Sequence, residues 1–164
     1  MTQQIDLFLK IVGTKSGKIK GESQDSKHAG DIEAESYNME VTQPISMGSG
    51  GVASGKRQHG FFVVTFKTQT ASPLLMLACC NGEHLKEVIL VCRKAGKEQQ
   101  EYLKWTLKTA LVAKFETFFR EDSVLPHDRI SFAYRQIEVE YREQKADGTL
   151  GGPIVANDDL TGIR

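Results

Sequence analysis

The chain has 164 residues, 40% hydrophobic and 26% charged, an ordinary globular composition with enough length to bury one core. Lys+Arg and Asp+Glu both number 21, so the formal net charge is zero; this argues against nucleic acid as the main partner, because phosphate binding needs surplus positive charge, and it leaves self-association open. No apolar run reaches the roughly 18–20 residues that span a bilayer, and Met1-Thr2-Gln3-Gln4-Ile5-Asp6 lacks the basic and apolar regions of a secretory leader, so synthesis in the cytoplasm without a cleavable signal is expected.

In chain order, Ile5, Leu7, Leu9 and Ile11 recur at period two and predict a strand over 5–12. A turn-rich basic stretch follows from Gly13 to Lys20. Residues 31–39 alternate again, with Ile32, Ala34, Ser36 and Asn38 on one face and Glu33, Glu35, Tyr37 and Met39 on the other. Neither face is fully apolar, which predicts a strand with one wet or interfacial side. A Gly-rich loop then runs to about Gln58. Phe61 to Phe66 is apolar on both faces and reads as a buried strand. Ser72 as N-cap, Pro73 at the first helical position and the Asn81-Gly82 stop predict a helix of about 10 residues.

Residues 87–94 predict another strand, and Ala95-Gly96-Lys97 a turn. Residues 101–118 fit both periods; the aromatic and Thr content favours a strand with a break near Thr109. In 130–141 the apolar face changes parity around Arg135-Gln136, as a bulge or a move between two sheets would require. Asp147-Gly148 is a tight turn. The polar tail over 151–164 is expected to be mobile or docked on a neighbour. The sum is a single mainly β domain over 1–164. It is a small β-barrel of two packed antiparallel sheets, with one short flanking α-helix and a long extended Gly-rich loop.

No residue pattern supports chemistry. Gly50 to Lys56 has the spacing of a phosphate-binding loop, but Arg57 stands where Ser or Thr must hold magnesium, and a strand follows instead of a helix. The histidines form no zinc motif, and Cys79, Cys80 and His84 do not complete a four-ligand site. Glu33 and Glu35 sit on one strand face, whereas a glycosidase pair converges from separate elements. The cysteines, three in number, read as buried reduced thiols. Lys15, Lys18, Lys20 and Lys27 make a local basic patch that is a solvated face or a docking surface for an acidic neighbour.

Lys20-Gly21-Glu22-Ser23, then His28 and Ile32, resembles the opening of the hemolysin-coregulated protein (Hcp) family, the tube subunits of bacterial type VI secretion systems. The likeness continues through the Gly-rich loop ending Gly55-Lys56, Phe66-Lys67, Ser72-Pro73-Leu74-Leu75-Met76, Arg93-Lys94-Ala95-Gly96, Glu101-Tyr102-Leu103 and Gln144-Lys145-Ala146-Asp147-Gly148. Three departures stand out: Val52, Ala53 and Ser54 where many relatives are almost pure glycine, the basic run Lys56-Arg57-Gln58-His59, and a less familiar tail after Pro153.

The resemblance implies a β-barrel flanked by a helix, with six copies closing into a ring. Rings stack into a tube that is driven out of the cell and can carry small effector proteins in its lumen. It implies partners in further copies of the chain and in sheath, spike and effector proteins. It implies no catalysis, cofactor, metal, nucleic acid or membrane insertion. On this reading ring stacking falls to Met47, Gly48, Ser49, Gly50, Gly51, Val52, Ala53, Ser54, Gly55, Lys56 and Arg57. Ala34, Ser36 and Asn38 are candidates for the lumen, because small side chains leave room for cargo. Two other readings compete: a monomeric barrel binding a small ligand or glycan through Trp105 and Tyr37, and a hydrolase using Glu33, Glu35 or a histidine.

Overall fold

The computed structural model describes residues 5–53, 55–94 and 100–161. Period-two alternation at the start forms β1 (Ile5–Gly13), which turns back into the two-residue β2 (Gly17–Lys18). The 31–39 segment splits at Glu35 into β3 (Ile32–Ala34) and β4 (Ser36–Asn38). β3 pairs with β1, and β4 pairs with β9 (Phe62–Lys67). Inward parity changes at the split: Ile32 and Ala34 lie on the core side before it, and Tyr37 and Met39 after it. The single alternating face expected for Ala34, Ser36 and Asn38 is therefore broken by the corner.

Between β4 and β9 the Gly-rich stretch is a β-hairpin arm in two steps. β5 (Val41–Thr42) pairs with β8 (Gln58–His59), and β6 (Ile45–Ser46) pairs with β7 (Val52–Ala53). A single 3-10 turn over Met47–Ser49 and two left-handed glycines, Gly50 at φ 78° and Gly51 at φ 81°, reverse the chain at the tip. Positive φ at two successive positions is why glycine stands there.

β9 buries Phe62, Val64 and Phe66 completely, while Phe61 is exposed and Val63 and Thr65 are half-buried. Only one face of this strand is fully inside, not the two expected. The helix α1 (Ser72–Asn81) ends on Gly82 at φ 63°, where a left-handed residue without Cβ costs least. Its start differs from expectation. Ser72 is already helical, Ala71 occupies the cap position, and the Ser72 hydroxyl accepts the backbone N–H of Gln69.

β10 (Leu85–Lys94), β11 (Gln100–Phe118), β12 (His127–Gln144) and β13 (Leu150–Asp159) complete the chain. The ladder runs β2-β1-β10-β11-β12-β9-β4, with β13 also on β12. Among the described residues no ladder joins β1 to β9; the cornered segment 32–38 spans that gap. Thr109 sits within β11 at φ 50°; the expected break is a single left-handed residue in an unbroken strand. β12 pairs with β9 over 127–132 and with β13 over 136–144. Its parity change near Arg135 accompanies that change of neighbour. The polar tail is not loose: residues 150–159 form an edge strand. The expected Ala95–Lys97 turn lies outside the described residues, as do residues 162–164.

The core is continuous across these strands. Ile32, Leu9, Leu90 and Trp105 stand opposite one another across four strands, and Val64 and Ile130 do so across two. Leu9, Leu90, Phe62 and Phe132 are fully buried, and truncating such a side chain to Ala costs about 2–5 kcal/mol. α1 buries Leu75 and Ala78 and leaves Leu74, Met76 and Leu77 exposed.

Candidate assembly surface

Lys20-Gly21-Glu22-Ser23 has a structural job. A Cβ on Gly21 would lie 2.5 Å from the Asp31 carbonyl oxygen and 2.7 Å from Ile32 Cγ1. Only glycine lets the strand-like 21–23 segment pass so close to β3. Gly21 and Ser23 then donate their N–H groups to Gly30 and Asp31 carbonyls, and the Glu22 carboxylate accepts the Thr70 N–H just before α1. His28 stacks on Phe8, with centroids 4.3 Å apart, and lies between Asp31 at 3.0 Å and Glu101 at 2.7 Å.

Arg93 is buried on the other face of that aromatic layer. Its guanidinium lies 4.7 Å from the Phe8 centroid and donates to both oxygens of Asp25 and to Asp6. Arg93 holds the Asp25 carboxyl far below its ordinary range. These family words therefore build scaffold.

The projecting feature is the arm. Ile45, Met47 and Val52 are exposed, Met47 at 81%, so three apolar side chains stand in solvent on the arm. The arm's root is fixed to the last strand. Arg57 Nη2 donates to Asp158 Oδ1 at 2.7 Å, and Arg57 Nε to Asp158 Oδ2. His59 Nε2 lies 2.8 Å from the same Oδ2, and its Nδ1 lies 3.0 Å from the Tyr134 hydroxyl, which donates to the Gly60 carbonyl. This planar fork is the geometry that suits Arg to a carboxylate. It holds the Asp158 carboxyl down at about 2 and lifts Arg57. Burial raises the Tyr134 hydroxyl to about 12.

The sequence-predicted stacking residues thus divide. Met47 to Gly51 form the tip, Val52 and Ala53 the returning strand, and Arg57 the anchor; Ser54 lies outside the described residues. Lys56 is exposed, and among the described residues no ion pair engages it. Of the lumen candidates, Ser36 and Asn38 are exposed while Ala34 packs against the core. Asp158 had no sequence signal, because a polar edge strand and a partner 101 positions away leave no local pattern; Tyr134 read only as an apolar position of its strand, and its partner His59 lies 75 positions away.

The competing sites do not assemble. Tyr37, Phe62 and Trp105 pack together with centroids 5.6–6.1 Å apart, against the core and not as a platform. Glu33 is exposed, and Glu35 is engaged by His127 at 3.1 Å and Arg120 at 3.0 Å. Of the thiols only Cys92 is buried; Cys79 is half-buried and Cys80 exposed. Lys18 of the basic patch pairs with Asp31 at 2.9 Å. Among the described residues no three His, Cys, Asp or Glu side chains converge as metal ligands would, and no helix is long and apolar enough to cross a membrane.

A family model described as "Type VI secretion system effector, Hcp" matches residues 8–141. The chain is 40% identical to "Protein hcp1" of Pseudomonas aeruginosa over 155 residues, covering 92% of this chain and 91% of that protein. It is 27% identical to the "Major exported protein" of Pseudomonas aeruginosa over 147 residues, covering 79% and 85%. The crystal structure of Hcp1 from Salmonella typhimurium superimposes with a TM-score of 0.75 at 29% identity, over 95% of this chain and 94% of that one.

Proposed function

The chain belongs to the Hcp family of type VI secretion proteins, and from that membership we propose that it is a tube subunit whose function is assembly. Six copies close side by side into a ring through unlike patches related by a closing rotation. Rings stack through the arm. The assembled tube is exported by the type VI machine, in contact with sheath and spike, and carries small effectors inside. No reaction is catalysed.

The observation that carries this reading is the arm: an apolar tip held away from the body, on a root clamped to β13. A segment serving only its own fold would bury Ile45, Met47 and Val52. Each docked arm orders some backbone and gains a modest apolar contact, so a single contact is weak. Six engaged together by a closed ring are not. The exposed Ser36 and Asn38, beside half-buried Val63 and Thr65, give β4 and β9 an outer face of short side chains. We assign that face to the lumen, without Ala34.

Deleting residues 48–51 tests the assignment. Rings are expected to survive while stacks are lost. Loss of rings along with stacks would show that the arm closes the ring instead.

A further inference from the structure

The helix α1 carries three sulfur atoms close together on its surface. Residues three and four apart are neighbours on a helix, so Met76 stands one turn N-terminal to both Cys79 and Cys80. Successive residues turn about 100° around the axis. Cys79 therefore lies about 60° to one side of Met76 and Cys80 about 40° to the other. Every Cα–Cβ bond of a helix tilts toward its N-terminus, so both thiols lean back toward the thioether.

These groups are also open to solvent. Met76 is 50% exposed, Cys80 is exposed and Cys79 half-buried. Cysteine is among the residues most often found fully buried, as Cys92 is in β10. Both α1 thiols are free of disulfides. The helix SPLLMLACCN has no charged residue, and exposed Leu74 and Leu77 give the sulfurs apolar neighbours.

This donor set is selective. Thiolate and thioether sulfur suit Cu(I), whereas a structural Zn²⁺ site takes four ligands from thiolate, imidazole and carboxylate. Among the described residues no three His, Cys, Asp or Glu side chains converge, so the two thiols lack even a third ligand for zinc. The third ligand on this face is Met76, which only a soft ion uses.

We propose that Met76, Cys79 and Cys80 form a surface site for one Cu(I) ion per chain. Each thiol releases its proton to solvent as its sulfur binds. The thioether donates a lone pair and has no proton to lose, and the copper stays Cu(I) throughout. The site is independent of the arm and of ring stacking.

Anaerobic titration of the full-length reduced chain with Cu(I) tests this, with bicinchoninate as the coloured competitor. The chain is expected to withdraw one ion per copy, and X-ray absorption should find three sulfur neighbours around it. Met76→Leu keeps the apolar volume of the helix. It is expected to weaken binding at least about tenfold, the lower end of what even an outer-shell partner contributes to a metal site. Met76→Cys, which returns a sulfur to that position, should restore it. Cys80→Ser, at an exposed position, should abolish the one-ion step with the circular dichroism of the parent. Failure of the parent chain to withdraw copper would overturn the proposal, as would Met76→Leu binding as tightly as the parent. One ion for every two chains would overturn it in favour of thiols bridging copies. Copper retained when Cys79 and Cys80 are both changed to Ser would place the ion elsewhere and overturn it too.

Discussion

Arg57 and Asp158 stand 101 positions apart in sequence and meet in a two-point ion pair, with Nη2 to Oδ1 at 2.7 Å. The pair joins the root of the arm to an edge strand near the end of the chain. His59 adds a third contact to the same carboxylate. The last strand therefore sets how the arm leaves the body.

Asp158→Asn is expected to loosen the arm without unfolding the protein. The pair is solvent-screened and contributes little to global stability, so the melting temperature should change little. Hydrogen exchange over residues 41–59 should accelerate, with β1 and β10 unchanged. Exchange in the arm equal to that of the parent would show that the clamp does not hold it.

The same carboxylate predicts a pH dependence. Its folded-state value of about 2 lies below the ordinary 3.8 because Arg57, then His59, donates to the ionised form. The clamp's contribution is therefore complete above pH 3.8 and is lost as the pH falls toward 2. Arm exchange rates followed downward from pH 5, corrected for intrinsic exchange, should begin to rise below pH 4. In Asp158→Asn that rise should be absent.

Gly21→Ala forces a Cβ against the Asp31 carbonyl, a backbone atom that has no rotamer to move to. A loss of about 1–3 kcal/mol in urea unfolding is expected, the range of overpacking. Gly48→Ala, where a Cβ meets nothing within 4 Å, should be neutral. Equal effects at the two positions would contradict the close-packing account of the Lys20-Gly21-Glu22-Ser23 motif.

Much of this fold is legible in the chain, and the failures share a cause. β1, β10 and β12 announce themselves because each has apolar residues on a buried face. The parity change near Arg135 is readable for the same reason, and it marks where β12 exchanges β9 for β13. β13 is invisible because Leu150 to Asp159 is almost wholly exposed, so no hydrophobic alternation is imposed on it. The glycines of the arm signal a turn, but not that Ile45–Ser46 and Val52–Ala53 pair around it. Ala34, Ser36 and Asn38 look like one face only until the corner at Glu35 rotates the second half. The clamp is long-range and polar, with no periodicity to betray it.

The thiols should react in an order the sequence does not give. Cys80 is exposed and should label first. Cys92 is buried, and burial pushes its thiol up to about 11, which leaves almost no thiolate near neutrality. Mass spectrometry during alkylation should find Cys92 unmodified until denaturant is added. Labelling of Cys92 as fast as Cys80 in the native protein would contradict its placement in β10.

The mass of the native particle tests the account most directly. Native mass spectrometry of purified chain should give a closed species of six copies, six times 18.2 kDa, with longer stacks appearing as concentration rises. A single species at 18.2 kDa that persists at high micromolar concentration would contradict the claim that this protein works by assembling.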